Sequence, residues 1–242
     1  MWSVGSKALD VYLGTRALVI GRGVELLHSA GVTEFEEALE ALKAWLEAFT
    51  PGQKLRVWLS GALCRPFIVP AVDGVSTRDE LNRVALALAP QQTGLVGACR
   101  VWVDVGPRGT PLAAVAVPQD VIDRLYATLA AAKGRRVVVS IRPWWSEVLR
   151  HVLAQRPATP AISVQDCDSL TFLVGSGGRF ESVATYSPIT DHETARSALA
   201  RALLSADIGP GEEVRCRLEV QGVARGQVRA GVALAAVLES TQ

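Results

Sequence analysis

Three histidines, four cysteines and a few clustered acids are the side chains of this 242-residue chain best suited to chemistry. Asp191-His192-Glu193 has the make-up of an acid–base pair, but acids and polar residues are ordinary in a helix's first turn, where they complement the macrodipole. His28 ends an apolar run, and His151 stands within a helical stripe of Trp145, Val148, Leu149 and Val152, so packing or surface roles are expected of all three. "SGALCR", Ser60 to Arg65, has only a superficial likeness to a nucleophile loop, because G-x-S-x-G and an oxyanion-hole motif are both missing. Cys64, Cys99, Cys167 and Cys216 form no C-x-x-C pair and have no nearby His to complete a zinc site. They read as free thiols of a reducing compartment. Gly94 and Gly97 lie outside any G-x-G-x-x-G between a strand and a helix, so no dinucleotide site follows.

Charge narrows the partners further. The 25 basic residues nearly balance the 24 acidic ones, and no block of like charge stands out, so neither nucleic acid nor an anionic membrane is an expected partner. With 49% hydrophobic residues the chain can bury the core of one large domain or two lobes. No stretch approaches the ~18 apolar residues of a membrane span. The first residues lack the pattern of a secretory leader. A cytoplasmic protein is expected.

The elements that must position these residues follow from periodicity. "DVYLGT", "ALVIGRG" and "VELLHSAG" predict a three-stranded meander, and Phe35, Leu39, Leu42, Leu46 and Phe49 predict a helix, with Thr33 as N-cap and Glu36 completing a capping box. "KLRVWLSGALCRPFIVP" predicts a strand broken at Ser60-Gly61. "STRDELNRVALALAP" predicts a helix that places Leu81, Val84, Ala85 and Leu88 on one face and stops at Pro90. A hairpin across "PRGT", a helix capped at Gly134, a strand "RRVVVSIRP" buried on both faces, and a helix "WWSEVLRHVLAQRP" come next. Pro157, Thr159 and Pro160 then punctuate the chain. Beyond them the opening order repeats as three strands, the helix "DHETARSALARALLSAD" and the strand "EEVRCRLEVQ". The segment 225–242 is ambiguous between strand and helix.

The repeat has a local echo. Leu18-Val19-Ile20-Gly21 matches Phe172-Leu173-Val174-Gly175, and Glu25 matches Glu181. The glycines of "TFLVGSGGRFESV", Gly175, Gly177 and Gly178, are expected to supply positive φ values to a tight turn rather than to cradle a phosphate.

A β-β-β-α-β unit occurring twice resembles the actin-like ATPase superfamily of sugar kinases, heat-shock protein 70 chaperones and the cell-division protein FtsA. The resemblance implies an α/β, actin-like (ribonuclease H-like) two-lobed fold, each lobe built on a β-β-β-α-β mixed sheet, with residues 1–157 as the first lobe and 158–242 as a second, shortened one. In that family the first hairpin of each lobe carries an Asp-x-Gly motif that embraces nucleotide phosphates and metal. Here the pattern falls on Tyr12-Leu13-Gly14-Thr15, where Tyr12 replaces the acid, and on Asp166-Cys167-Asp168, where Asp168 replaces the glycine. A side chain at Asp168 would crowd and repel a phosphate held by backbone N–H groups, and Tyr12 removes a hard oxygen ligand for magnesium. Within the superfamily, "YLGT", "LSGALCRPFIVP", "VAVPQDVIDRL" and "DCDSLTFLV" resemble the degenerate members of envelope machines, the type IV pilus protein PilM and the cytoplasmic domain of the type II secretion protein GspL.

That resemblance implies a non-catalytic cytoplasmic scaffold or adaptor, without a cofactor, for a peptide or inner-membrane subunit of a pilus or secretion machine. It would sit at the membrane through its partner, with no inserted segment of its own. The alternative is an actin-like ATPase or kinase binding Mg-ATP between the lobes through Gly14, Thr15, Asp166 and Asp168. For partner contact the residues themselves suggest Arg142 and Trp144 of "RPWW", since Trp and Arg dominate interface energetics. In one reading both tryptophans of that motif are instead buried. Arg100 is a third candidate, on a strand where Arg100, Trp102 and Asp104 alternate with inward valines and the edge could accept a peptide by β-augmentation.

Overall fold

Short apolar runs separated by glycine-bearing turns leave the chain little choice but to pair with itself, and the computed structural model shows how it does so for residues 8–22, 25–48, 54–75, 77–104, 109–132, 137–155, 159–176, 179–209, 212–219 and 235–239. Strands β1 (Leu9–Leu13), β2 (Ala17–Arg22) and β3 (Glu25–Gly31) form the opening meander. Helix α1 (Phe35–Ala48) buries Phe35, Leu39, Leu42 and Leu46, as the spacing predicts. Each such side chain contributes about 1.5–3 kcal/mol of apolar burial. The cap differs from the sequence expectation. Glu37, one residue later than Glu36, accepts from Thr33 N–H at 2.7 Å and Thr33 O–H at 3.0 Å, while Glu36 pairs with Arg124.

Strand β4 (Lys54–Leu59) then runs parallel to β1, and the first sheet is completed by β8 (Val137–Pro143) in the order β3-β2-β1-β4-β8. Edge position corrects the expectation for β8. Among the described residues it has a neighbour on one side only, and Val139 is 55% exposed. Between β4 and β8 the chain inserts a separate three-stranded sheet, β5 (Arg65–Val69), β6 (Cys99–Val103) and β7 (Leu112–Pro118), in the order β5-β7-β6. Helix α2 (Arg78–Thr93) covers one face of it, burying Ala85 and Ala89 with Phe67, Val69 and Val103 in a core of its own. Pro90 does not stop this helix. The helix runs on to Thr93 because Gly94, at φ 68°, caps it in the left-handed conformation and donates to Pro90 O at 3.0 Å.

Helix α3 (Gln119–Ala131) packs against α1 and is capped at Ala132, while Gly134 lies outside the described residues. Helix α4 (Trp144–Gln155) follows β8 directly. The second half repeats the first in outline: β9 (Ala161–Gln165), β10 (Leu170–Ser176) and β11 (Arg179–Tyr186) form a meander, and α5 (His192–Ala206) leads to β12 (Glu213–Glu219), parallel to β9. With β13 (Ala235–Glu239) the order is β11-β10-β9-β12-β13, position for position that of the first sheet. The outermost strands break the symmetry, since β13 is antiparallel to β12 whereas β8 is parallel to β4.

The echo seen in the sequence is a matched β-bulge. Register shifts between Ile20 and Gly21 in one meander and between Val174 and Gly175 in the other. At each place the partner strand's carbonyl crowds the glycine, so that a Cβ would lie 2.9 Å from Glu25 O at Gly21 and would overlap Arg179 O at Gly175. Gly175 has the positive φ expected of it, 158°, and also serves this close approach, while Gly177 and Gly178 lie outside the described residues. The structural partner of Glu25 is Arg179, not Glu181, because the two turns are equally long.

One core joins the two larger sheets, with Val11, Leu13 and Leu59 of the first in the same cluster as Ile162, Leu173 and Val214 of the second. On the β1–β4 face towards α4 sit an aromatic trio and an ion pair. Trp144 meets Tyr12 and Trp58 edge-on at 6.2 and 6.1 Å between ring centroids. Beside them Asp10 accepts from Arg56 at 2.8 Å and from Trp58 Nε1 at 3.1 Å. Burial still pushes the Asp10 carboxyl above its ordinary value.

Candidate functional site

Two places bring chemically capable residues together. The first is a joint between the turns at the ends of β1, β4 and β9. Because β1 and β4 are parallel neighbours, their C-terminal turns lie side by side, tied by Ser60 N–H donating to Leu13 O at 2.8 Å. The turn after β9 presents Asp166, Cys167, Asp168 and Ser169 to them. Asp166 organises its own turn: its Oδ1 accepts from Asp168 N at 3.2 Å, Ser169 N at 2.8 Å and Ser169 Oγ at 2.7 Å. Its Oδ2 reaches across to Gly61 N at 2.9 Å. Asp168 takes both of its hydrogen bonds from the other turn, from Thr15 N at 2.6 Å and Thr15 Oγ1 at 2.7 Å, both to Oδ2.

Glycine is needed where these turns touch. A Cβ on Gly14 would lie 2.9 Å from Asp168 Oδ2 and 3.2 Å from the Tyr12 hydroxyl, and one on Gly61 would overlap the Ser169 hydroxyl. The carboxylates of the joint are buried, with Asp168, Ser169 and Ser60 fully buried and Asp166 6% exposed, while Thr15 is half-buried. Burial first, and the neighbouring Asp168 second, push the Asp166 carboxyl up to about 8 against the pull of the four bonds it accepts. Burial likewise raises the Tyr12 hydroxyl and the Cys64 and Cys167 thiols, with Asp166 adding to each shift. Neither thiol has the electropositive surroundings of a nucleophile.

The second place is a groove of about 780 Å³ between the inserted sheet and α4. Trp102 and Asp104 of the β6 face, Arg142 of β8, Trp145 and Arg150 of α4, and Phe180 of β11 line it. Arg150 is held by Glu147 at 2.6 Å, and Arg78, also at the groove, donates to Val103 O at 3.0 Å. Arg142 is exposed and makes no ion pair among the described residues. Among the described residues strand β6 is an edge. Its bonds to β7 at Asp104–Ala113 and Gln119–Ala98 fix the alternation, leaving the N–H and C=O groups of Cys99, Val101 and Val103 pointing away from the sheet. Arg78 occupies one of these carbonyls.

No family model matches the sequence, and no curated protein matches it. Solved structures do. A Bacteroides thetaiotaomicron protein with an actin-like ATPase fold and unknown function superposes with a TM-score of 0.59 at 9% identity, over 89% of this chain and 82% of that one. The fold is actin-like. The cytoplasmic domain of EpsL, an inner-membrane component of the Vibrio cholerae type II secretion system, gives 0.52 at 16% identity over 93% and 88%. A chain of the PilM–PilN type IV pilus biogenesis complex gives 0.54 at 18% identity over 84% and 68%. The resemblance read from the sequence motifs thus agrees with the fold.

On this actin-like frame the residues singled out in the sequence fall in both places. Gly14, Thr15, Asp166 and Asp168 converge in the joint, where Asp168 lies on Thr15. Arg142 lines the groove. Arg100, also exposed, stands on β6 two residues from Trp102 on the same face, outside the groove lining. Trp144 is a correction: it is 3% exposed, locked between Tyr12 and Trp58, and with Trp145 at 5% the reading in which both tryptophans are buried holds, although Trp145 borders the groove. None of the three histidines lines either place. His28 packs beside Trp45 at 6.5 Å, His151 lies by Glu147, and His192 opens α5 after the Asp191 cap. Sequence reading missed Gly61 as a clamp on Asp166, and missed Trp145, Phe180 and Arg78. Only the Ser-Gly break after β4 signalled the first of these. No helix among the described residues is long and apolar enough to cross a membrane.

Proposed function

We propose that this protein is a non-catalytic docking component of a bacterial pilus or secretion machine. It works in the cytoplasm, held at the inner membrane by its partner, and takes an extended peptide segment of an inner-membrane subunit in the groove between the inserted sheet and α4. The observation that carries this reading is the groove itself: aromatic walls from Trp102, Trp145 and Phe180, the exposed Arg142 guanidinium, and a β6 edge with backbone groups turned outward. Such a site suits a strand-like peptide, whose main chain pairs with the edge while an apolar side chain enters between the rings and a carboxylate meets Arg142. The likeness to an EpsL domain and to a chain of the PilM–PilN complex supports the same class of partner.

The test uses synthetic peptides covering the cytoplasmic segments of the inner-membrane subunits encoded beside this gene, titrated calorimetrically into the full chain. One peptide is expected to bind, and Trp102→Ala and Arg142→Glu are each expected to weaken it about tenfold or more, roughly 1.4 kcal/mol. Absence of binding by every peptide, or equal binding by both variants, overturns the groove. Mg-ATP is titrated in parallel. Micromolar binding that disappears in Asp166→Ala would overturn the non-catalytic reading in favour of an ATPase or kinase.

A further inference from the structure

Hydrogen bonding in the joint is divided unevenly between the two carboxylates. Every donor of the Asp166–Ser169 turn that reaches a carboxylate there goes to Asp166. Asp168 takes nothing from its own turn; its donors are the N–H and O–H of Thr15, 153 positions away, converging on one oxygen at 2.6 and 2.7 Å. Its other oxygen, Oδ1, is fully buried with no hydrogen-bond partner among the described residues. A carboxylate whose role was to shape its own turn would be satisfied by that turn, as Asp166 is. The donors that Asp168 meets are those of an oxyanion site: a backbone N–H and a hydroxyl at a turn opened for close approach by Gly14.

We propose that Asp168 is a tethered oxyanion, a carboxylate carried by one turn that fills the anion site of the Gly14–Thr15 turn and so closes the two large sheets on each other without a free ligand. The site behind it takes small oxyanions of the carboxylate and phosphate class, and Asp168 competes with them as an internal ligand. Removing the side chain exposes the site. This inference concerns the joint and stands independently of the peptide groove.

The experiment is chemical rescue in the full chain. Wild type and Asp168→Gly are melted in increasing sodium formate, which matches the lost carboxylate, and in sodium phosphate, with chloride holding ionic strength constant. Wild type is expected to show no saturable response to either anion. Asp168→Gly is expected to melt lower and to recover saturably, by about 3 °C or more, in at least one of them. The Asp168→Gly/Thr15→Val double variant, lacking the hydroxyl donor, is expected to lose most of that recovery. If Asp168→Gly does not fold in plain buffer, refolding it with and without each anion reads the same rescue as recovered soluble protein. No rescue by either anion, rescue undiminished without the Thr15 hydroxyl, or a wild-type response as large as the variant's overturns the proposal.

Discussion

The joint and the groove use similar residue types in opposite ways. At the joint, two carboxylates, two glycines, a threonine and a tyrosine are packed together, and the N–H and O–H donors of one turn are directed at the carboxylates of the other. At the groove, arginines, carboxylates and tryptophans line open space, and one guanidinium is left unpaired among the described residues. The difference teaches where this chain has capacity to bind. A site whose backbone donors are already taken by its own carboxylates has little left to give a ligand, whereas one with unanswered charge and apolar walls has affinity to offer.

The sharpest way to break the contrast is to remove the same group from each region. Asp166→Ala leaves the N–H groups of Gly61, Asp168 and Ser169 without their acceptor in a buried place, and is expected to cost about 3–5 kcal/mol in urea unfolding. Asp104→Ala, on the exposed groove wall, is expected to stay within about 0.5 kcal/mol of wild type. Comparable losses would erase the distinction. Gly61→Ala comes next, at about 1–3 kcal/mol, because the added methyl would overlap the Ser169 hydroxyl and lie 2.9 Å from Thr171 Oγ1.

Proton linkage sharpens the joint further. The Asp166 carboxyl is raised from 3.8 to about 8 in the fold, so between those values the native state holds a proton that the unfolded chain has released. Stability is therefore expected to be retained at low pH and to fall as pH rises through this window, by at most about 1.4 kcal/mol per unit. The groups facing Asp166 are Tyr12 from β1, Gly61 and Cys64 from the turn after β4, with the charge of Arg65 beyond it, and Cys167, Asp168 and Ser169 of its own turn. Burial shifts Asp10 in the same direction. Asp166→Asn isolates the contribution: its urea midpoint should vary less with pH than wild type's, and an unchanged profile would assign the dependence elsewhere.

Elements were legible in the sequence wherever one strong local signal acted alone. The apolar period of α1, the Ser60-Gly61 break and the Ile20-Gly21 and Val174-Gly175 echo all have direct structural counterparts. Readings failed where two local signals competed or the answer was tertiary. Pro90 stands for a helix end until Gly94 offers a better cap, and three valines suit a central strand until topology puts β8 at an edge. The family resemblance brought Gly14, Thr15, Asp166 and Asp168 to one site, but the direct bond of Asp168 to Thr15 had no local signal, because nothing local joins residues 153 positions apart. The same holds for the groove, which needs the inserted sheet, α4 and β11 to meet.

The smallest expected effect on stability tests the contrast from the groove side. Arg56 and Arg142 lie on adjacent strands, β4 and β8, but Arg56 is held by the fully buried Asp10 at 2.8 Å while Arg142 has no ion pair among the described residues. Arg56→Ala removes the cation beside a buried acid and is expected to cost about 3–5 kcal/mol. Arg142→Glu reverses a solvated charge, screened within about 10 Å at ordinary salt, and is expected to shift the urea midpoint by less than about 0.5 kcal/mol. Its effect should emerge only with the peptide: about tenfold weaker binding at low salt, narrowing as salt rises because the lost attraction is electrostatic. A salt-independent loss would assign Arg142 to packing instead, and a large fall in stability would return it to the structural class of Arg56.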